Sequence, residues 1–365
     1  MRLLALLVLL LAAPPLAAQS LRSSLGALEI TEIASGLRQP WGLAFLPGGG
    51  FLVTERGGAL WRFDADGSRR RLSGVPKVAA RGQGGLLDVL VARDFTASRE
   101  IFLSYAAPGR GGQGTALAIA RLSRDGSRLE RVREVFRMTP FSPSTRQFGS
   151  RIVETADGKI FLTIGDRVDR DQAQSIASHN GSVIRLDRDG SVPPDNPFAA
   201  RGGLPELWSI GHRNAQGMAL DSRGRLWLVE HGARGGDEVN LVRPGRNYGW
   251  PVISYGVHYS GAKIGEGTEK PGMEQPAFYW DPSIAPSGLM IHSGRMFPEW
   301  KGDFFVGSLK FDMIVRLRPQ AGGMRQVETL SAPETGRVRD VREAPDGSIW
   351  FLSVDRGAVY RISRP

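Results

Sequence analysis

The stretch from Ser150 to Asp166, SRIVETADGKIFLTIGD, decides how this chain folds. It holds a short apolar strand, SRIVETA, an Asp157-Gly158-Lys159 turn, and a second apolar strand, IFLTIGD, that ends on an acid. An Asp-Gly turn between two apolar runs is a hairpin signal, because Gly takes the positive φ the turn requires. The same turn-then-strand pattern recurs along the chain. It appears as Gly48-Gly49-Gly50 before FLVTE, Ser98-Arg99-Glu100 before IFLSYA, and Arg223-Gly224-Arg225 before LWLVEHG. It returns as Lys301-Gly302-Asp303 before FFVGSL and Asp346-Gly347-Ser348 before IWFLSVD. The copies are spaced by about 60 residues on average, the signature of a repeat architecture.

Six units of short antiparallel strands predict an all-β fold, a six-bladed β-propeller. A pair of β-sandwiches is the competing all-β reading, and the even spacing over the whole chain disfavours it. The segment Glu29–Ala34 is expected to close the ring by joining the last blade. No low-complexity linker divides the chain, so one domain is expected over residues 21–365. A propeller brings equivalent strand ends to one face. Here those ends carry Glu55-Arg56, Tyr105, Gly165-Asp166, Glu230-His231, Ser308 to Lys310, and Asp355. The mouth of the central channel is therefore the expected site.

Met1-Arg2 followed by LLALLVLLLAAPPLAA reads as a secretory signal over residues 1–18, with a small-residue end at Ala18. A membrane anchor is disfavoured because the apolar run is short and Pro14-Pro15 break it. No second apolar run is long enough to span a bilayer. A mature protein in the periplasm or outside the cell is expected. There are no cysteines, and a core of this size needs no disulfide staples. The formal charge is +10, mostly through Arg. Nucleic acid is a poor partner for an exported chain with no recognised binding module, and a small polyanion fits better.

The run from Trp208 to Pro251 packs Arg213-Asn214, Glu230-His231-Gly232, Gly235-Gly236-Asp237-Glu238 and Asn247-Tyr248-Gly249-Trp250 into a short span. Gly allows close backbone approach, Arg and Asn donate to anions, and carboxylate and carbonyl oxygens suit a hard cation. The run reads as an anion-binding surface beside a place for such a cation.

Several segments in order carry a family resemblance: LRQPWGLAFLP, GQGGLLDV, FGSRIV, TIGD, IGHRNAQGMALD, EHGARGGDEVNL, NYGWP, YGVHYSG, FVGSLK and GRVRDV. The match they mark runs over nearly all of the mature chain. The chain resembles the soluble aldose sugar dehydrogenases that depend on pyrroloquinoline quinone (PQQ), relatives of soluble quinoprotein glucose dehydrogenase. The resemblance implies quinone contacts at Gln83, Arg213, Asn214, Tyr259, Lys310, Phe311, Asp312, Arg337, Val338 and Arg339. It implies Ca²⁺ on Glu238 and the Tyr248 carbonyl, and a second Ca²⁺ on main-chain oxygens of Gly232 and Ala233. It implies an aldose sugar as substrate, with electrons passed on to a further acceptor. His231 has no second His at ligand spacing, so a structural role is expected for it.

The family's chemistry is hydride transfer from the sugar's anomeric carbon to the quinone, with a His as base and an Asp orienting it. Asp166 matches the Asp, and Arg213 stands with it in the implied catalytic set. Gln147 stands immediately before FGSR, where the base His is expected. A Gln side chain cannot accept a proton at neutral pH. Three accounts follow: a slow or silent quinone- or sugar-binding propeller, a different base (Asp166, His179 or His258), or a different substrate. A calcium-dependent lactonase-type hydrolase is a further alternative. It would want acidic and Asn side chains at the channel mouth, where this sequence supplies Arg, Lys and Gln.

Overall fold

The computed structural model describes residues 19–365, and the secretory signal expected at 1–18 lies outside them. Six antiparallel sheets follow one another along the chain as the blades of a propeller. Blade 1 runs outward from Pro40–Phe45 through Phe51–Glu55 and Ala59–Phe63 to Arg69–Arg71. The innermost strands of blades 2 to 6 are Leu86–Val91, Gly149–Glu154, Ala215–Leu220, Pro286–Ile291 and Val338–Glu343. Each packs beside the next around the axis, and Val338–Glu343 returns to Pro40–Phe45. The repeat strands read from the sequence are the second strands of the blades, for example Ile160–Ile164 and Phe304–Ser308.

The repeat strands are apolar on both faces because each blade is covered on both sides. Phe51–Glu55 and Ile160–Ile164 are buried at every position, as a continuous apolar run predicts. Six separate hydrophobic clusters result, one between each pair of neighbouring blades. Each Leu, Ile, Val or Phe fully buried there stabilises the fold by about 1.5–3 kcal/mol.

A hydroxyl at the fourth position of the repeat strand ties blade to blade. Thr54, Ser104 and Thr163 accept from Gly42, Asp88 and Arg151 N–H groups on their own innermost strands, at 2.9, 3.0 and 2.9 Å. Each then donates to a carbonyl on the next blade's innermost strand: Leu87, Ser150 and Ala215. Near the axis there is no room for side chains everywhere. A Cβ on Gly217 would lie 2.4 Å from the Ser287 carbonyl, and one on Gly288 2.5 Å from Asp340 Oδ1.

The ring closes through the N-terminal segment, as the sequence predicts. Gly26–Ala34 pairs antiparallel with Ala358–Ser363, placing Glu29 opposite Ser363. Gln19–Ser23 then adds a fifth, outermost strand to blade 6. Among the described residues no helix is long and apolar enough to cross a membrane.

Candidate functional site

A cavity of about 970 Å³ opens on the face where the repeat strands end. Trp41, Leu87, Phe148 and Gly149 line it together with Arg56, Arg337, Arg339 and Lys310. Arg234 and Asp281 also line it, and the first four cations named rest on neutral oxygens. Arg56 donates to Gln39 Oε1 and the Gly82 carbonyl, at 3.1 and 2.7 Å. Lys310 reaches the Ser283 carbonyl at 3.2 Å, Arg337 the Leu309 carbonyl at 2.9 Å, and Arg339 Gln216 Oε1 at 3.0 Å. Burial, then the neighbouring Arg337, Arg151 and Arg56, push the Arg339 guanidinium down to about 9. Burial and Arg337 likewise lower Arg56. Crowded cations without carboxylate partners are relieved by an anion, so a carboxylate-bearing ligand fits this cavity.

Gln147 and Asp166 meet beside it. The Val168 N–H lies 3.0 Å from Gln147 Oε1 and 2.8 Å from Asp166 Oδ1, so the two side chains share one donor. Gln147, Arg167 and Val168 all adopt left-handed backbone, with φ of 57°, 56° and 67°. Such strain in non-Gly residues persists only where surrounding structure holds it. Asp166 Oδ2 accepts from Trp250 Nε1 at 2.8 Å. Burial raises the Asp166 carboxyl despite the Val168 N–H and Arg213. Neither Gln147 nor Asp166 is a lining residue of the cavity.

His231 does line it. Its Nε2 donates to the Pro286 carbonyl at 2.7 Å, and burial, with Arg213 adding to it, pushes the imidazole down to about 4. It is neutral at pH 7. His179 is held against the Thr139 N–H and Glu206, and His258 against Arg170; neither lines the cavity.

Arg213 lies behind the wall, its guanidinium on the Gly232 carbonyl and 5.2 Å over the Trp250 ring. Gly232 and Ala233 line the cavity, but a cation on the Gly232 oxygen would require that guanidinium to turn away. Gln83, Asn214 and Tyr259 reach the lining with Lys310, Arg337 and Arg339. Phe311 stands outside it, 45 % exposed, under the Lys310 ammonium. Asp312 Oδ1 accepts the Arg337 N–H at 2.8 Å and so shapes that loop. The Val338 side chain points into the core, and its carbonyl accepts from Ser287 Oγ.

Glu238 is the second residue of the third strand of blade 4, Asp237–Val242. Burial, then Glu230 and Asp237, push its carboxyl up to about 8. Asn240 Nδ2 donates to Glu238 and Glu230, each at 3.0 Å, while buried Asn240 Oδ1 has no partner. Crowded carboxylates beside an orphaned amide oxygen fit a hard cation. Among the described residues no group of three His, Cys, Asp or Glu side chains gathers as a ligand set. Any cation there would be held by one carboxylate with amide and main-chain oxygens.

Ser209, His212 and Glu230 form a hydrogen-bonded chain at 2.9 and 2.8 Å. Burial opposes ionisation of Glu230, but His212 holds its carboxyl below the usual range. The geometry is that of a hydrolase triad. All three side chains are sealed, and Tyr248 stacks on the imidazole at 4.5 Å, so no substrate reaches the serine.

Trp41, Arg56, Leu87, Phe148 and Gln216 also line the cavity; Arg56 is signalled in sequence by its place at the end of a repeat strand, and the others lie in the quoted segments without being singled out there. Fold and cavity together define a β-propeller with a mouth lined by cationic side chains. A family model described as Glucose / Sorbosone dehydrogenase matches residues 37–361. The aldose sugar dehydrogenase YliI of Escherichia coli K12 is 41% identical over 344 residues, covering 92% of this chain and 93% of that protein. The crystal structure of the soluble aldose sugar dehydrogenase from Escherichia coli, in its apo form, superposes with a TM-score of 0.88 at 40% identity, over 93% of this chain and 100% of that one. The PQQ-bound aldose sugar dehydrogenase of Streptomyces coelicolor superposes with a TM-score of 0.76 at 26% identity, over 92% and 97%. The chain belongs to the glucose/sorbosone dehydrogenase family of oxidoreductases.

Proposed function

We propose that this protein is an exported quinoprotein that oxidises aldose sugars at the anomeric carbon, with PQQ in the mouth cavity and Ca²⁺ at Glu238. The observation that carries the reading is the set of Arg56, Arg337, Arg339 and Lys310 around one cavity, each resting on a neutral oxygen. A planar tricarboxylate meets that set with charge-assisted bonds. When bound, the quinone supplies a hydride acceptor. Gln83 and Asn214 would donate at its edge, and Tyr259, 74 % exposed, would border the sugar's entrance. Glu238, Asn240 Oδ1 and the Tyr248 carbonyl would hold Ca²⁺. The leader-like residues 1–18 support export.

The sugar hydroxyl must lose a proton as its carbon gives up hydride. Gln147 cannot take that proton, and loss of a positioned base slows such a step by a factor on the order of a hundred to ten thousand. Asp166 is hydrogen-bonded by Val168 and Trp250 and stands next to Gln147. An imidazole at position 147 would meet a carboxylate able to fix its tautomer. Gln147→His is therefore expected to raise aldose oxidation at least tenfold, about 1.4 kcal/mol in barrier. Dye reduction with a panel of aldoses, after reconstitution with quinone and Ca²⁺, checks it. Strong activity of the natural protein that falls in Gln147→His would mean that another group is the base. Gln147 favours one second reading, a propeller that binds quinone without turnover. Bound quinone with no oxidation by either protein would establish it.

A further inference from the structure

Beneath the cavity the axis of the propeller is closed by charge. Arg151, 1 % exposed, lies with Nη1 2.8 Å from Asp88 and 3.2 Å from Asp340. Arg342 bonds the same two acids, at 3.1 and 3.0 Å. The remaining acceptor positions are filled: Ile152 N–H donates to Asp88 Oδ2 at 2.9 Å, and Leu43 N–H to Asp340 Oδ2 at 3.1 Å. Arg151 Nε donates to the Gln216 carbonyl at 3.0 Å. Five blades therefore converge on this cluster, because Leu43, Asp88, Arg151, Gln216 and Asp340 come from blades 1, 2, 3, 4 and 6.

The cluster is also wired to the cavity. Gln216 is fixed through its main chain by Arg151, and its side chain works above. Gln216 Oε1 accepts from Arg339 Nη1 at 3.0 Å, and Nε2 donates to Asn214 Oδ1 and the Gly149 carbonyl, each at 3.2 Å. Trp41, in the lining, has the Arg151 guanidinium 4.5 Å from its ring centroid and that of Arg339 at 5.7 Å. Two buried cations thus share one ring and one glutamine. A buried ion cluster is a costly way to fill an axis that apolar residues fill equally well. What an apolar plug cannot do is fix the Gln216 main chain by a hydrogen bond.

We propose that Arg151 is a positioning residue for the quinone cavity: through Gln216 and Trp41 it fixes the direction in which Arg339 presents its guanidinium. This rests on the quinone reading above. A misdirected guanidinium keeps its charge but loses its paired hydrogen bonds to a carboxylate. Arg151 touches no ligand itself.

The test is a double-mutant cycle on PQQ affinity, with Arg151→Lys, Arg339→Ala and the pair, read by calorimetry, with melting temperatures of the quinone-free proteins alongside. Arg151→Lys keeps the buried charge and loses the bond to Gln216. Coupled residues depart from additivity. The expectation is that Arg339→Ala weakens binding by about tenfold to a hundredfold in the natural protein and by less than about threefold in the Arg151→Lys background. Should Arg151→Lys fail to fold, Gln216→Leu enters the cycle in its place, with the same expectation. A lowered melting temperature with an undiminished Arg339→Ala effect would show a purely structural role and overturn the inference. If the natural protein itself does not take up PQQ, the quinone reading falls and this inference with it, an outcome distinct from binding with an additive cycle.

Discussion

Arg339 is a buried cation of the mouth cavity. Its guanidinium is crowded by three other arginines, offset only in part by Asp340, and donates to the Gln216 amide oxygen. Arg339→Ala should weaken PQQ binding by about 1.5–3 kcal/mol, the scale of a hydrogen bond to a charged group, measured by calorimetry. An unchanged affinity would remove Arg339 from the site. Arg213-Asn214, Lys310 and Arg337 to Arg339 were legible in the sequence because they sit in motifs. Trp41 and Gln216 lie in quoted segments too, LRQPWGLAFLP and IGHRNAQGMALD, but nothing in the letters singles them out. An inward Trp on an innermost strand looks like core, and Gln216 acquires meaning only when blades 3, 4 and 6 meet at the axis. Val338 shows the converse: its two arginine neighbours line the cavity, and strand alternation turns its own side chain into the core.

At the scale of elements, the strand Asp237–Val242 carries the metal proposal. The Glu238 carboxyl, ordinarily near 4.5, is pushed up to about 8 by burial and then by Glu230 and Asp237. The folded value exceeds the unfolded one. Its contribution therefore favours folding below about pH 4.5 and is lost as pH rises through about 8. In chelator, the melting temperature of the natural protein should decline over that window, and Glu238→Gln should remove that part of the decline. Ca²⁺ binds the ionised carboxylate and stabilises only the form that binds it. Glu238→Gln should therefore lower the melting temperature more in Ca²⁺ than in chelator, and equal shifts would show that Glu238 is no ligand. The hydroxyls of Thr54, Ser104 and Thr163 were visible in the repeat as letters. Their bridging role follows only from the ring, since each donates to the neighbouring blade.

For the molecule as a whole, the ring and its closure were legible because six turn-then-strand units are a statement about periodicity, which needs no contacts. The closure also makes a prediction. Removing residues 19–34 strips two strands from blade 6 and takes Leu21, Leu28 and Ile30 out of the cluster between blades 5 and 6. At about 1.5–3 kcal/mol for each buried side chain, several kcal/mol should be lost, read as a lower denaturation midpoint. A midpoint equal to that of the intact protein would show that the ring does not depend on this closure. The central claim is that the mouth of the ring is built for a polycarboxylate quinone. Its most direct test is calorimetric titration of the purified apoprotein with PQQ in the presence of Ca²⁺. Saturable binding of about one quinone per chain at or below micromolar concentration is expected, with a visible absorbance change on uptake. No uptake at micromolar quinone, by a protein that melts cooperatively, would contradict it.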